Sequence, residues 1–130
     1  MKVVADASAL GAVIFNEDDG DAVQVRLDGA TLHAPQILRF ELANIALKKA
    51  RRNPAKAPEM FARLAEFSDS HHLIRWHDVQ PVDVAILARL TGLSAYDASY
   101  LWLAGWLEAD LVTLDKRLSA AFEPQGHTAG

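Results

Sequence analysis

The chain has 130 residues, 51% of them hydrophobic, and a formal net charge of −4 at neutral pH. This length suits one domain with a substantial core, so we expect a single domain over residues 1–130 with a flexible tail at 123–130. The absence of cysteine excludes disulfides and thiolate metal sites, and the acidic balance disfavours non-specific nucleic-acid binding. No apolar run suggests a membrane span or a secretory signal, so we expect a cytoplasmic protein.

Short apolar runs alternate with longer helical patterns along the chain. Because strands that alternate with helices form right-handed crossovers, this order predicts an α/β fold with a mainly parallel sheet. The predicted strands are Lys2–Asp6, Thr31–Ala34, Leu73–His77 and Leu111–Leu114. The predicted helices are Ser8–Phe15, Asp19–Asp28, Gln36–Arg52, Glu59–Ser68, Pro81–Thr91, a helix capped by Ser94 that runs to about Leu107, and Lys116–Phe122.

Two aspartates lie at the ends of predicted strands. Asp6 ends the first strand, KVVAD, and Asp115 ends the last, LVTLD. Ligands of open α/β sheets bind outside the carboxyl ends of the strands, so neighbouring parallel strands would present both carboxylates at one edge. Each aspartate, or Ser8 in place of Asp6, also suits a helix N-cap, which is worth about 1 kcal/mol. Taken singly, the cap is the better interpretation.

Two further acidic residues lie on predicted helices. Asp97 follows Ser94 by three residues, a capping-box spacing that alone favours a structural role. Glu41 is harder to explain, because it lies well past the first turn of its predicted helix and interrupts an apolar face. A buried carboxylate needs a basic partner or a metal ion. Asn44 lies on the same side of the helix and could orient Glu41 or a water molecule.

The four carboxylates together indicate one chemistry. Clustered carboxylates repel one another unless a divalent cation neutralises them, and oxygen donors without His or Cys suit Mg²⁺ or Mn²⁺. Such an ion can orient a water molecule, lower its pKa and stabilise charge on a phosphate. The sequence contains neither a glycine-rich phosphate loop nor a GxSxG motif that would indicate a competing chemistry.

Four segments resemble, in order and spacing, the motif blocks of PIN-domain ribonucleases, and above all those of VapC-type toxins of bacterial toxin–antitoxin pairs. They are VVADASAL, FELANIA, LSAYDASYLWLA and LVTLDKRL, and the resemblance runs from Lys2 to about Phe122. It implies a three-layer α/β/α sandwich around a mainly parallel sheet. It also implies an Mg²⁺- or Mn²⁺-dependent endoribonuclease that hydrolyses RNA phosphodiester bonds, dimerises, and is held inactive by an antitoxin protein.

The resemblance also assigns roles to individual residues. The acidic positions that bind metal and catalyse fall on Asp6, Glu41, Asp97 and Asp115, and the supporting polar positions on Ser8, Asn44 and Thr113. Strand alternation would point Thr113 and Asp115 to the same side. Lys116 and Arg117 adjoin Asp115 and are candidates for RNA contact. The family's short final strand has no apolar counterpart after Phe122, which leaves the strand count open.

Several interpretations stay open at this point. Trp102 and Trp106 share a helix face that suits either core packing or a dimer interface. His71 and His72 are adjacent in sequence, which disfavours a joint metal role. Two other functions remain, a different Mg²⁺-dependent phosphoryl hydrolase such as a phosphatase, and a non-catalytic PIN-like binding module. A DxD pair would favour the phosphatase, but Ser8 stands where the second aspartate would be.

Overall fold

Four parallel strands form the centre of the fold in the computed structural model, which describes residues 1–69 and 73–123. They are β1 (Lys2–Ala5), β2 (Thr31–Pro35), β3 (Ile74–His77) and β4 (Asp110–Val112). The strand order is β3-β2-β1-β4, and each neighbouring pair is parallel. The predicted parallel sheet is therefore confirmed.

Helices cover both faces of the sheet. They are α1 (Ala7–Ile14), α2 (Gly20–Leu27), α3 (Leu38–Arg52), α4 (Ala57–Asp69), α5 (Pro81–Thr91), α6 (Ala95–Leu107) and α7 (Lys116–Phe122), with a short 3-10 turn at Pro54–Lys56. Helices α1 to α4 pack on one another, whereas α5 and α7 both pack on α6, which lies against β1, β2 and β4. This arrangement confirms the three-layer α/β/α sandwich.

Strands β1 and β4 are buried along most of their length. Val3, Val4 and Ala5 of β1 and Leu111 and Val112 of β4 are each at most 2% exposed. Strands covered by helices on both faces need apolar side chains on both faces, which explains why these segments read as continuous apolar runs. None of the helices in the described ranges is both long and apolar enough to cross a membrane.

The start of α3 differs from its prediction. The helix begins at Leu38 rather than Gln36, because the Gln36 N–H donates to the His77 carbonyl (3.2 Å) and stays bonded to the neighbouring strand. Glu41 therefore lies in the first turn of α3, not well past it. The side chain of Glu41 also lies beside the fully buried stripe, which passes through Leu38 and Leu42.

The end of the last strand also differs from its prediction. β4 ends at Val112, so strand alternation does not relate Thr113 to Asp115. The Asp115 N–H instead donates to Thr113 Oγ1 (3.0 Å), which turns the chain into α7. Helices α5 and α7 have the predicted bounds, and α4 begins two residues early, at Ala57.

Two stretches, 70–72 and 124–130, lie outside the described residues. The first contains His71 and His72. The second contains nearly all of the predicted flexible tail, in which the formation of a final edge strand was left open. The corresponding predictions remain predictions.

Gly20 packs closely against the backbone at the end of α1. A Cβ on Gly20 would lie 2.5 Å from the Ala12 carbonyl oxygen, so the backbone would have to shift. We expect Gly20→Ala to lower the free energy of unfolding by about 1–3 kcal/mol, as measured by chemical denaturation. The matched control is Gly105→Ala on α6, where a Cβ meets nothing within 4 Å and helix propensity should add about 0.5–1 kcal/mol. Similar effects of the two substitutions would contradict this account.

Candidate active site

Asp6 is a carboxylate buried at the end of β1, with only 4% of its surface exposed. Its Oδ1 accepts hydrogen bonds from Ser8 Oγ (2.7 Å) and from the Ala9 N–H (3.0 Å), which makes Asp6 the N-cap of α1. Its Oδ2 accepts from the Thr113 hydroxyl at 2.6 Å. Burial raises the pKa of Asp6, and these donors oppose that rise. These bonds hold the carboxylate in one orientation. Capping α1 does not prevent Asp6 from also acting in the chemistry of the site.

Ser8 and Thr113 connect the first and last motif blocks. Their hydroxyl oxygens lie 3.3 Å apart, and both hydroxyls donate to Asp6. Ser8 Oγ also accepts from the Leu114 N–H (2.9 Å), while Thr113 Oγ1 accepts from the Asp115 N–H. These two hydroxyl residues orient Asp6 and hold the loop that carries Asp115.

Asp115 and Asp97 lie at the starts of α7 and α6. Asp115 Oδ1 accepts from the Arg117 N–H (2.8 Å) and the Leu118 N–H (3.2 Å), so Asp115 is the N-cap of α7. Burial raises the pKa of Asp97, the charge of Asp115 raises it further, and the charge of Arg117 opposes the rise. Arg117 donates to the Gly92 carbonyl (3.0 Å), and Lys116 is exposed beside it.

The hydrogen-bond partner of Glu41 is a tyrosine and not a basic residue. The buried Tyr100 hydroxyl donates to Glu41 Oε1, and the ion pairs of the described residues do not include Glu41. Burial raises the pKa of Glu41, the Tyr100 hydrogen bond lowers it, and the charges of Asp97 and Asp6 raise it. Burial, followed by the charge of Glu41, raises the pKa of Tyr100, so its hydroxyl keeps the proton that it donates.

Tyr100 was not among the predicted site residues. The signal was present, because Tyr100 follows Asp97 by three residues on the inward face of α6, and a buried tyrosine hydroxyl usually needs a partner. Asn44, in contrast, is exposed on α3, and its side chain makes no hydrogen bond within the described ranges.

The four predicted acidic residues form a closed series of repulsive pairs. Asp6 interacts with Asp115, Asp115 with Asp97, Asp97 with Glu41, and Glu41 with Asp6. Electrostatic interactions therefore link all four carboxylates at the carboxyl edge of the sheet. We call this group the acidic site.

The acidic site is open rather than tightly closed. Within the described part of the chain, no three His, Asp or Glu side chains come close enough together to surround one ion. Mg²⁺ is usually held by one or two carboxylates and keeps several water ligands, so an all-oxygen donor set of mutually repelling carboxylates suits such an ion.

Comparisons with known proteins identify the family of this chain. The family model for the PIN domain matches residues 3–123. Ribonuclease VapC3 of Pyrobaculum aerophilum is 32% identical over 125 residues, which cover 94% of this chain and 95% of that protein. Ribonuclease VapC9 of Mycobacterium tuberculosis is 34% identical over 131 residues, with 95% and 93% covered. This chain therefore belongs to the PIN-domain family, as its motifs indicated.

A solved structure supports the fold. The crystal structure of PAE2754 from Pyrobaculum aerophilum superposes with a TM-score of 0.75 at 23% sequence identity, covering 96% of this chain and 86% of that one.

Asp97→Asn tests the repulsion within the acidic site. The folded-state pKa values of Asp97 and Glu41 are raised, so their contribution to stability is present below the unfolded-state pKa, near 4, and is lost as the pH rises through the folded-state pKa. We expect the substitution to raise the melting temperature of the metal-free protein by about 2 °C at about pH 7.5. The gain should vanish near about pH 4, where the carboxyls are protonated.

The matched control for this experiment is Asp83→Asn, which removes an exposed aspartate from the first turn of α5. Both substitutions lose the same favourable interaction with a helix N-terminus. Thermal melts between about pH 4 and 8 compare them. An equal decrease in melting temperature would show that Asp97 acts only in capping its helix.

Tyr100→Phe tests the hydrogen bond to Glu41. Without that donor the half-buried carboxylate loses its partner, so the free energy of unfolding should fall by about 1–3 kcal/mol. The pKa of Glu41 should rise, because the Tyr100 hydrogen bond holds it down. A carbon-detected NMR titration of the carboxyl groups measures the shift, with exposed Tyr96→Phe as the control. An unchanged Glu41 titration would show that this hydrogen bond is absent in solution.

Proposed function

We propose that this chain is a divalent-metal-dependent endoribonuclease, the toxin of a toxin–antitoxin pair, which acts on RNA in the cytoplasm. The acidic site is the observation that supports the proposal, since carboxylates from four separate segments of the chain interact electrostatically there. The relatives' printed names, Ribonuclease VapC3 and Ribonuclease VapC9, support the same activity.

The metal would be Mg²⁺ or Mn²⁺, held by Asp6, Asp97 and Asp115 directly or through water. When bound, the ion would supply charge neutralisation and Lewis-acid stabilisation of the phosphate. Ser8 and Thr113 would keep Asp6 in its orientation throughout, since both hydroxyls already donate to it. This preorganisation avoids reorientation during the reaction.

Glu41 would bind a metal or position the attacking water. Its raised pKa makes it a better proton acceptor than an ordinary glutamate, and Tyr100 favours its ionised form. Asn44, exposed one turn further along α3, would help to orient the water. Attack of water in line with the departing 3′-oxygen would leave a 5′-phosphate and a 3′-hydroxyl.

Lys116 and Arg117 would contact RNA phosphates beside the acidic site. Arg117 is the better placed of the two, because its charge acts on Asp97 and its guanidinium is anchored to a backbone carbonyl. The protein partners would be a cognate antitoxin and a second copy of the chain. Trp106 is 65% exposed and stacks on half-buried Trp102. This exposure supports a place for Trp106 in the interface with the second copy.

A non-catalytic binding module is the alternative function. One observation favours it, because both oxygens of Asp6 are already satisfied within the fold and Asp115 is a helix cap. In that case Asp6→Asn would change stability without any effect on RNA cleavage.

RNA cleavage separates these functions. Purified protein incubated with labelled single-stranded RNA and Mg²⁺ or Mn²⁺ should release products that carry a 5′-phosphate, and EDTA should abolish the reaction. We expect Asp6→Asn and Asp115→Asn to lower the rate on the order of 100-fold, whereas Asp83→Asn should leave it unchanged. Cleavage that persists in EDTA and in Asp6→Asn would refute the metal mechanism.

A further inference from the structure

A largely apolar cavity of about 410 Å³ lies at the carboxyl ends of β2 and β3. Its walls include Pro35 and His77 from the strand ends, Ile37 before α3, and Tyr96 and Ser99 from α6. Neither the motif analysis nor the acidic site accounts for this cavity, which we call the apolar cavity.

The apolar cavity and the acidic site lie side by side. Two members of the acidic site, Asp6 and Asp115, follow β1 and β4, and the strand order β3-β2-β1-β4 puts β2 directly beside β1. On α3, Glu41 of the acidic site donates its N–H to the carbonyl of Ile37 in the cavity wall (3.0 Å). On α6, Asp97 lies between Tyr96 and Ser99 in sequence. A nucleic-acid strand with a phosphate at the acidic site would therefore carry a neighbouring base to the cavity.

The cavity walls suit a flat heterocycle. Tyr96 presents an aromatic ring that is 59% exposed, and His77 adds a second ring. Ser99 donates its hydroxyl to the Tyr96 carbonyl (2.6 Å), which leaves the oxygen able to accept from a base edge. Unpaired bases are bound in this way, by stacking on aromatic rings and by hydrogen bonds to their edges.

A positive charge next to the cavity suits the phosphate of such a strand. Gln36 lines the cavity, and its Oε1 accepts from Arg39 Nε at 3.1 Å. The Arg39 guanidinium also lies over the Trp76 ring, 4.2 Å from its centroid, so it is held from both sides. A guanidinium held in this way leaves its other N–H groups free for a phosphate oxygen.

We propose that the apolar cavity is a nucleobase subsite, which takes an unpaired base of the nucleotide next to the cleaved phosphodiester of single-stranded RNA. This inference rests on the proposed function and names its substrate class, because a paired base inside a duplex cannot enter the cavity. A side chain of a protein partner is the competing occupant, and the experiment below distinguishes the two.

Two substitutions change the cavity at exposed positions. Ala95→Phe fills it, and Tyr96→Ala removes its exposed ring. Stacking of a base on an aromatic ring strengthens binding by about tenfold or more. Each substitution should therefore lower kcat/KM on a short single-stranded RNA about tenfold. The controls are Ala85→Phe, at an exposed position of α5 outside the cavity, and Tyr96→Phe, which keeps the ring. Ala85→Phe should stay within about twofold of the unmodified protein, and Tyr96→Phe should retain most of the activity that Tyr96→Ala loses.

Removal of the base from the substrate completes the test. The same oligonucleotide is made with an abasic ribose at either nucleotide that flanks the cleaved bond. At one of these positions, the unmodified protein should lose about tenfold in kcat/KM. Tyr96→Ala and Ala95→Phe should then cause no further loss on that substrate, since ring and base act as one interacting pair.

Three outcomes overturn the inference. Equal cleavage of intact and abasic RNA would show that no base enters the cavity, as expected if a protein partner occupies it. Equal losses by the two variants on both substrates would show that the substitutions act through the acidic site. Failure of the unmodified protein to cleave intact RNA with Mg²⁺ or Mn²⁺ would refute the proposed function, and with it this subsite.

Discussion

The buried carboxylate of Asp6 is the group on which the rest of the site depends. Its two oxygens accept from the hydroxyls of Ser8 and Thr113 and from the Ala9 N–H, so residues more than 100 positions apart in sequence meet on one side chain. An unpaired carboxylate in this place would cost several kcal/mol, and the three donors offset that cost. The same bonds bring the start of α1 and the turn before α7 together at the end of β1.

The acidic site brings like charges near one another, which the stability of the fold does not require. Asp115 and Glu41 both act on Asp6 by repulsion, and Asp97 acts on Glu41 in the same way. Like charges in a half-buried site reduce stability, so the surrounding structure must compensate for them. The fully buried runs of β1 and β4 and the helices on both faces supply that compensation. Tyr100 supplies a local part of it, as a neutral donor that satisfies Glu41 without cancelling its charge.

Local chemistry determined what could be predicted of the fold. The ends of α5 follow from Pro81 at its first position and from Gly92, whose φ of 76° suits a helix C-cap. The start of α6 follows from Ser94, whose hydroxyl accepts from the Asp97 N–H. The start of α3 was missed because it depends on a bond from Gln36, just after β2, to His77 at the end of β3.

The candidate site was predictable to a similar degree. The four acidic positions followed from the motif blocks, and in the structure electrostatic interactions link them. The prediction treated capping and metal binding as alternatives for Asp6 and Asp115, whereas a carboxylate with two oxygens can cap a helix and retain further acceptor capacity. Tyr100 and the apolar cavity depend on contacts between distant segments, and only Tyr100 had a signal in the sequence.

The sheet order separates two tasks along one edge. On the proposed function, the acidic site faces a phosphate, which is the same in every nucleotide. The acidic site therefore supplies chemistry without sequence preference. On the proposed subsite, the apolar cavity at the ends of β2 and β3 faces the base, which differs between nucleotides. Its walls come from the ends of β2 and β3, the loop before α5, and α6, whereas the hydrogen bonds to Asp6 come from Ser8, Ala9 and Thr113. Substitutions there can change which base is accepted while the hydrogen bonds that hold Asp6 stay intact. A PIN domain with this division can therefore acquire a new RNA target without rebuilding its acidic site.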